Sequence, residues 1–360
     1  VSSVGSYVNR FEQSLASYVG AKHGIATVNG TAALHLALLV AGVQPDDEVL
    51  VSAVTFIAPV NAIHYAGAHP VFIDAEPNYY QMDVQKAADF LAKECVWREG
   101  ALYNKTTGRR IAALLPVHIL GHPVEMAPLV ELARQYELPL VEDASESLGA
   151  KYQGQMVGHI GDIACFSFNG NKLITTGGGG MITTDNDAWA EKARYLATQV
   201  KDDPLEYVHH EIGYNYRLTN IQAAMGCAQV EQLPAYIAKK RQIAAAYTAA
   251  FADTSGITPM PEAPWAFSSF WLYTILVDEI EFGMDSRALL RYLEEKKIQT
   301  RPLWHPIYSL KPYKTCPAYH ITIADKLYAR ALSIPCSVGL KNAEQERVIE
   351  GLLGSVQSKS

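Results

Sequence analysis

In ACFSFNGNKLITTGGGGMITTD, residues 164 to 185, one lysine stands between two apolar runs and ahead of four consecutive glycines. Lysine is seldom buried unless its charge is paired or its nitrogen has a chemical task. The flanks ACFSF and GMITT read as buried strands, while Asn169, Gly170 and Gly177 to Gly180 permit tight curvature. Lys172 is therefore expected on a loop at a strand end, pointing into a cleft. Three other features fall at the same edge of the expected sheet. Asn29, Gly30 and Thr31 precede a helix whose free N–H groups and positive end suit a phosphate. Asp143 ends the strand LPLVED, and Ser167 ends the strand before the lysine, where its hydroxyl could meet an anion. A phosphate site, a carboxylate and a lysine fit one cofactor, pyridoxal 5′-phosphate. The amine bonds the aldehyde, the aspartate keeps the ring nitrogen protonated, and the ring accepts electrons from a carbanion. Phe56, in VTFIAPVNAI, could stack on that ring. Taken singly, each feature has a plainer reading: a helix start, a capping aspartate, a core phenylalanine, a snorkelling lysine. Their order and spacing together favour the cofactor.

The elements that must position these groups alternate along the first two thirds of the chain. HGIATV, DEVLVS, HPVFID, IAALLPVH, LPLVED and DIACFSF read as short strands. TAALHLALLVAG, stopping at Gly42, and MAPLVELARQYE read as helices between them. Buried strands alternating with helices predict a three-layer α/β fold with a mostly parallel sheet, in which ligands bind beyond the carboxyl ends of the strands. Thr219 with Gln222 forms a capping-box pattern that starts a helix. AYIAKKRQIAAAYTAAF then reads as a long helix leading into a smaller unit with strands FWLYTILVD and IQTRPLW and helices DSRALLRYLEEKK and NAEQERVIEGLL. The expected division is a large domain over residues 1–235 and a smaller C-terminal α/β domain over 236–360.

The composition, 49% hydrophobic and 19% charged over 360 residues, is that of a globular enzyme. A formal charge of −7 and scattered basic residues argue against nucleic acid as a partner, and the densest basic cluster, YNKTTGRR, reads as a hairpin turn. No apolar run reaches the roughly 20 residues of a membrane span and no basic-then-apolar leader opens the sequence, so a cytoplasmic protein is expected. Five cysteines, at 95, 165, 227, 316 and 336, lack the short spacing of metal or redox sites and read as reduced thiols. His118 and His122 have the spacing of a zinc pair, but Pro116, Gly121 and Pro123 exclude the helix that such a pair needs, so no metal is expected. The glycine run does not match a dinucleotide fingerprint, because Ile182 takes its third glycine position.

The segments NGTAALHLAL, VEDASESLGA, CFSFNGNKLITTGGGGMITT and IGYNYRLTNIQAAMG resemble the successive motifs of the DegT family of nucleotide-sugar aminotransferases. The resemblance covers nearly the whole chain and implies the aspartate aminotransferase fold, type I among pyridoxal-phosphate enzymes. It implies Lys172 as the Schiff-base residue and Asp143 as the partner of the ring nitrogen. Thr31, Ala32 and Ser167 would hold the phosphate, with Asn215 supplied by the neighbouring subunit of a homodimer with shared sites. Phe56 falls where the family covers the ring. Arg217, in the last of these motifs, and His305, in PLWHPIY, are expected at the substrate. Many members carry Gln three residues after the aspartate, where this chain has Glu146. An ionised carboxylate beside a phenolate is repulsive, so Glu146 must be protonated, donate through a water or turn away. Relatives also usually have a segment ahead of VSSVGSYVNRFEQ, one that contributes to the substrate pocket.

Four further stretches, EDASESLGA, LYNKTTGRR, IQTRPLWHPIYSL and SIPCSVGL, resemble the aminotransferases of legionaminic and related diamino-sugar pathways. That resemblance implies transfer of an amino group from L-glutamate to the C4 keto group of a UDP- or GDP-linked 4-keto-6-deoxy-N-acetylhexosamine, for cell-surface glycan such as lipopolysaccharide. Lys172 would be both covalent anchor and general acid/base. A perosamine-type keto-deoxysugar is the alternative substrate. A sugar dehydratase on the same fold would carry histidine in place of Lys172. A regulatory member without turnover is the reading outside catalysis, and the intact set Lys172, Asp143 and Ser167 speaks against it.

Overall fold

The computed structural model describes residues 5–203 and 205–357, the side chains of 356 and 357 excepted. The first four residues of VSSVGSYVNRFEQ thus lie outside the described residues. Seven strands build the large sheet: β1 His23–Thr27, β2 Glu48–Ser52, β3 His69–Ile73, β4 Ile111–Leu115, β5 Val141–Asp143, β6 Ile163–Ser167 and β7 Gly180–Thr184. Their order is β1-β7-β6-β5-β4-β2-β3. Bridges Leu114–Leu140 and Val117–Asp143 join β4 to β5, and the short strand Ala318–Tyr319 adds beside β3. All neighbours run parallel except around β7, which is antiparallel to both β1 and β6.

That one reversed strand matters for the lysine. Gly180, the first residue of β7, pairs with Thr27 at the end of β1 and with Ser167 at the end of β6. The connection 168–179, which carries Lys172, therefore turns over at the carboxyl edge of the sheet. Asp143 lies across from Cys165 in the parallel register of β5 with β6, so the carboxylate ends at the same edge.

Helices cover both faces. α1 (Ser6–Val19) buries Phe11 and Leu15, and α2 (Gly30–Val40) is apolar nearly all round and buried along most of its length. α2 stops as a glycine-ended helix should, with Gly42 left-handed at φ 88. A much longer helix, α3, runs from Asn220 to Phe251 without a break, 32 residues in all. Its start is the capping box, with Thr219 and Gln222 each bonding the other's backbone. The sequence suggests two successive helices here, whereas the structure has one, which passes through residues 235 and 236. Pro234 lies inside it, where proline removes one N–H from the ladder. Packing on both sides holds the helix across that point: Leu233, Ile237, Tyr247 and Phe251 are all buried.

Beyond α3 a second sheet forms from β8 Ile257–Thr258, β9 Tyr273–Val277, β10 Arg301–Pro302 and β11 Ala331–Ile334, in the order β8-β9-β11-β10 and antiparallel throughout. IQTRPLW, read as a strand, is paired only over the two residues of β10; its proline, Pro302, limits what can enter a ladder. Helices Ser286–Glu295 and Ile323–Arg330 pack on this sheet, and Asn342–Gln357 packs against Ser286–Glu295 and α3. One apolar core includes Val51 and Leu115 of the large sheet, Tyr247 of α3, and Tyr273 and Leu332 of the small sheet.

Candidate active site

At the carboxyl edge of the large sheet, a cavity of about 370 Å³ is lined by Asn29, Gly30, Thr31, Phe56, Asp143, Glu146, Ser167, Asn169, Lys172, Trp271 and Trp304, among others. It thus brings together Lys172, Asp143, Glu146, Ser167, Thr31 and Phe56, which stand up to 141 residues apart (172 − 31) in the sequence.

One wall is the N-terminus of α2. Asn29 accepts the Ala32 N–H at 2.7 Å, which caps the helix and occupies that donor. Ser167 sits directly against it: a Cβ on Gly30 would come within 2.7 Å of the Ser167 Cβ. A Cβ on Gly180 would meet the Asn29 carbonyl at 2.5 Å. Glycine at both positions lets the helix start, β6 and β7 close up, so that the hydroxyls of Thr31 and Ser167 share one small space at a positive helix end.

The opposite wall carries the acids. The Asp143 backbone is held on both sides, donating to Pro116 and accepting from His118. Its carboxylate accepts the Ser145 N–H at 3.0 Å. Burial pushes its pKa up, against the pull of Ser145 and of Lys172. Among the described residues no Lys, Arg or His nitrogen lies within 4 Å of this carboxylate. A buried acid without a cation in contact is what a protonated ring nitrogen would complete. Under it, the wholly buried Glu142 pairs with His118 at 2.9 Å and accepts the N–H groups of Gly158, Ile160 and Gly161. His118 accepts the Val124 N–H on its other nitrogen.

Glu146 does not turn away. Its Oε2 accepts the Leu120 N–H at 2.8 Å and its Oε1 lies 3.7 Å from the Lys172 Nζ. Burial raises its pKa to about 7, opposed first by the charge of Lys172. The Lys172 ammonium also lies 4.0 Å from the centre of the Trp271 ring. Trp271 is itself fixed: its indole N–H donates to the Asn171 carbonyl at 2.9 Å and its own carbonyl accepts from Lys240 at 2.6 Å.

Four residues named from the sequence are not in this cavity. Ala32 is buried behind Asn29. Asn215 is exposed and bridges Thr198, and Arg217 bridges Thr27 through its backbone. His305 faces Pro306 and Ser309 and packs on Tyr328. Its neighbour Trp304 lines the cavity instead. Trp271 and Trp304 escaped the sequence reading. Trp271 lies two residues ahead of β9, in a stretch that reads as strand and core, while the prolines around Trp304 are the one local sign of a rigid, outward aromatic. His122, stacked on Tyr79, accepts the Ala263 N–H at Nε2 and donates to Pro123 at Nδ1.

Residues 1–353 match the sequence profile of the DegT/DnrJ/EryC1/StrS aminotransferase family. The chain belongs to that family. A GDP-perosamine synthase of Caulobacter vibrioides is 38% identical over 355 residues, covering 98% of this chain and 91% of the relative. A UDP-4-amino-4,6-dideoxy-N-acetyl-beta-L-altrosamine transaminase of Campylobacter jejuni is 33% identical, covering 99% and 91%. Among solved structures, DesV of S. venezuelae in complex with a ketimine intermediate superposes with a TM-score of 0.87 at 28% identity, covering 98% of this chain and 90% of the other. The fold is that of pyridoxal-phosphate-dependent sugar aminotransferases, and membership makes the chain an aminotransferase that uses pyridoxal phosphate. The cavity suits that cofactor: a helix end and two hydroxyls for a phosphate, a buried acid for a pyridinium, a lysine for an aldehyde. Among the described residues no helix is long and apolar enough to cross a membrane.

Proposed function

We propose that the chain moves the amino group of L-glutamate to the C4 keto carbon of a nucleotide-linked 4-keto-6-deoxy sugar, within the cytoplasm and for cell-surface glycan. The observation that carries this reading is the meeting of Lys172, Asp143 and Glu146 in one cavity against the start of α2. When bound, pyridoxal phosphate supplies an electron sink for the carbanion left when a proton departs beside nitrogen. The chain supplies the rest. Thr31, Ser167 and the helix end hold the phosphate, Asp143 keeps the ring nitrogen charged, and Phe56 and Trp271 limit how far a planar ring can shift. Lys172 would hold the aldehyde, and its Nζ would be the group that carries a proton to and from the reacting carbon. Glu146, 3.7 Å from that nitrogen, is the acid placed to exchange a proton with it.

A GDP-linked sugar of the perosamine type is supported by the higher identity to the Caulobacter relative. The second reading, an N-acetylated sugar of the diamino or nonulosonic acid routes, draws on the Campylobacter transaminase and on the short motifs noted above. Asn215, exposed and outside its own chain's cavity, fits delivery to the phosphate of a second copy in a homodimer with shared sites; Arg217 and His305 would then meet substrate only in the assembled or closed enzyme. Borohydride reduction and peptide mapping should place the cofactor on Lys172, and Lys172→Ala should lose turnover altogether. A panel of GDP- and UDP-keto sugars with 15N-glutamate then reads the acceptor directly. Cofactor found on another lysine overturns the site, and label in no sugar overturns the reaction.

A further inference from the structure

Lys172 also lines a second, larger cavity of about 730 Å³ between the large and small sheets. Its walls come from α3 (Gln229, Tyr236, Lys240), from β10 and the segment after it (Arg301 to Trp304), from Trp271, and from Ser333 to Val338. No Asp or Glu lines it, whereas Lys172, Lys240 and Arg301 do, in a chain whose formal charge is −7. Among the described residues no carboxylate lies within 4 Å of Lys240 or Arg301. The buried Lys240 ammonium spends its N–H groups on the carbonyls of Trp271 and Cys336, both at 2.6 Å, and on the Cys336 sulfur at 3.2 Å, so its charge is solvated but not cancelled. Arg301 uses one N–H on its neighbour Thr300 and is exposed, leaving the rest of its donor fork free.

We propose that this cavity seats the dicarboxylate amino donor and its 2-oxo product, with Arg301 as the residue that selects a second carboxylate. The proposal rests on L-glutamate being the donor, as put forward above. Such a donor must bring its amino carbon to Lys172 while both carboxylates remain in the protein. The smaller cavity, about 370 Å³, is the one given above to the cofactor, which leaves the donor's two carboxylates to be seated elsewhere. The larger one is free of acids, is walled by apolar side chains that strengthen any charge interaction within it, and shares Lys172 with the first. Lys240 acts through space on either carboxylate, and Arg301 can grip one by two parallel N–H bonds. Its volume lies within the range of small-molecule sites.

The test uses the holoenzyme and glutarate, a dicarboxylate with no amino group. Calorimetry should show glutarate binding to the wild type, weakened about tenfold or more in Arg301→Gln and partly recovered in Arg301→Lys. In the same variants the KM for L-glutamate should rise by a similar factor, with kcat changed little and the bound cofactor retained. Glutarate bound equally by wild type and Arg301→Gln overturns the proposal. So does loss of GDP or UDP affinity in place of glutarate affinity, since the cavity would then belong to the nucleotide. Because glutarate binding needs no turnover, a wild type that binds glutarate without aminating any keto sugar counts against the proposed reaction and not against this seat.

Discussion

Glu146 is the residue at which charge state and chemistry meet. Its pKa of about 7, raised by burial, puts its proton in play near neutral pH, with Lys172 at 3.7 Å as the exchange partner. Below the ordinary carboxyl range, Glu146 is protonated folded and unfolded alike. Between about pH 4.5 and pH 7 the folded protein keeps a proton that the unfolded chain gives up, so this group favours folding less as pH rises through that window. The full effect is on the order of 3 kcal/mol. Glu146→Gln keeps a hydrogen-bond donor and removes the titration. It should therefore stay active, flatten the decline of stability between pH 4.5 and 7 in denaturant titrations, and abolish a spectral transition of the bound cofactor near pH 7. An unchanged spectral titration in Glu146→Gln would mean that another group carries that proton.

Between α2 and the ends of β6 and β7 there is no spare space. Gly30→Ala would press a methyl onto Ser167, so we expect cofactor retention during dialysis to fall while the apoenzyme stays folded, because the strain lies at the edge of the sheet. Thr219→Ala removes the cap of α3 and should lower stability by about 1 kcal/mol in chemical denaturation. Both positions belong to elements whose signals are local, and those elements were legible. An asparagine three residues ahead of an apolar run, a threonine three ahead of a glutamine, and short β-branched stretches between helices point to strands and helix starts that the structure has, and so to the sheet edge at which Lys172, Asp143 and Ser167 meet. What escaped depends on distance. That α3 is one helix and not two is decided by burial of Leu233 and Ile237 on either side of Pro234, which local propensity does not report. Trp271 joins the site because Lys240 and Asn171 hold it there from elsewhere in the chain. Arg301 lies in a stretch that reads as a strand, and only the absence of acids around it sets it apart.

At the scale of the whole molecule, several large apolar side chains remain uncovered over residues 205–225, besides others elsewhere in the chain. Leu205 and Ile212 are each 85% exposed, and Ile221 and Met225, on the first turns of α3, stand partly in solvent, as do Tyr65 and Phe56. Asn215 falls in the same stretch. A second copy covering this surface would account for its composition and bring Asn215 to a neighbouring site. Mixed Lys172→Ala and Asn215→Ala subunits should then recover activity, since one of the two sites in the hybrid has both residues intact; verified heterodimers without recovery would rule out sharing.

Gln229, Tyr236 and Lys240 put one face of α3 along the larger cavity, and the same helix is anchored at its start by the capping box. At 1.5 Å per residue its 32 residues make a rod of about 48 Å. A tilt of about 5° at the capped end would carry the far end roughly 4 Å. Lys240, about two thirds of the way along, would move by close to 3 Å on the same scale, taking the Trp271 carbonyl with it. The room around the reacting lysine is thus sensitive to the angle at which one long helix leaves its capped end.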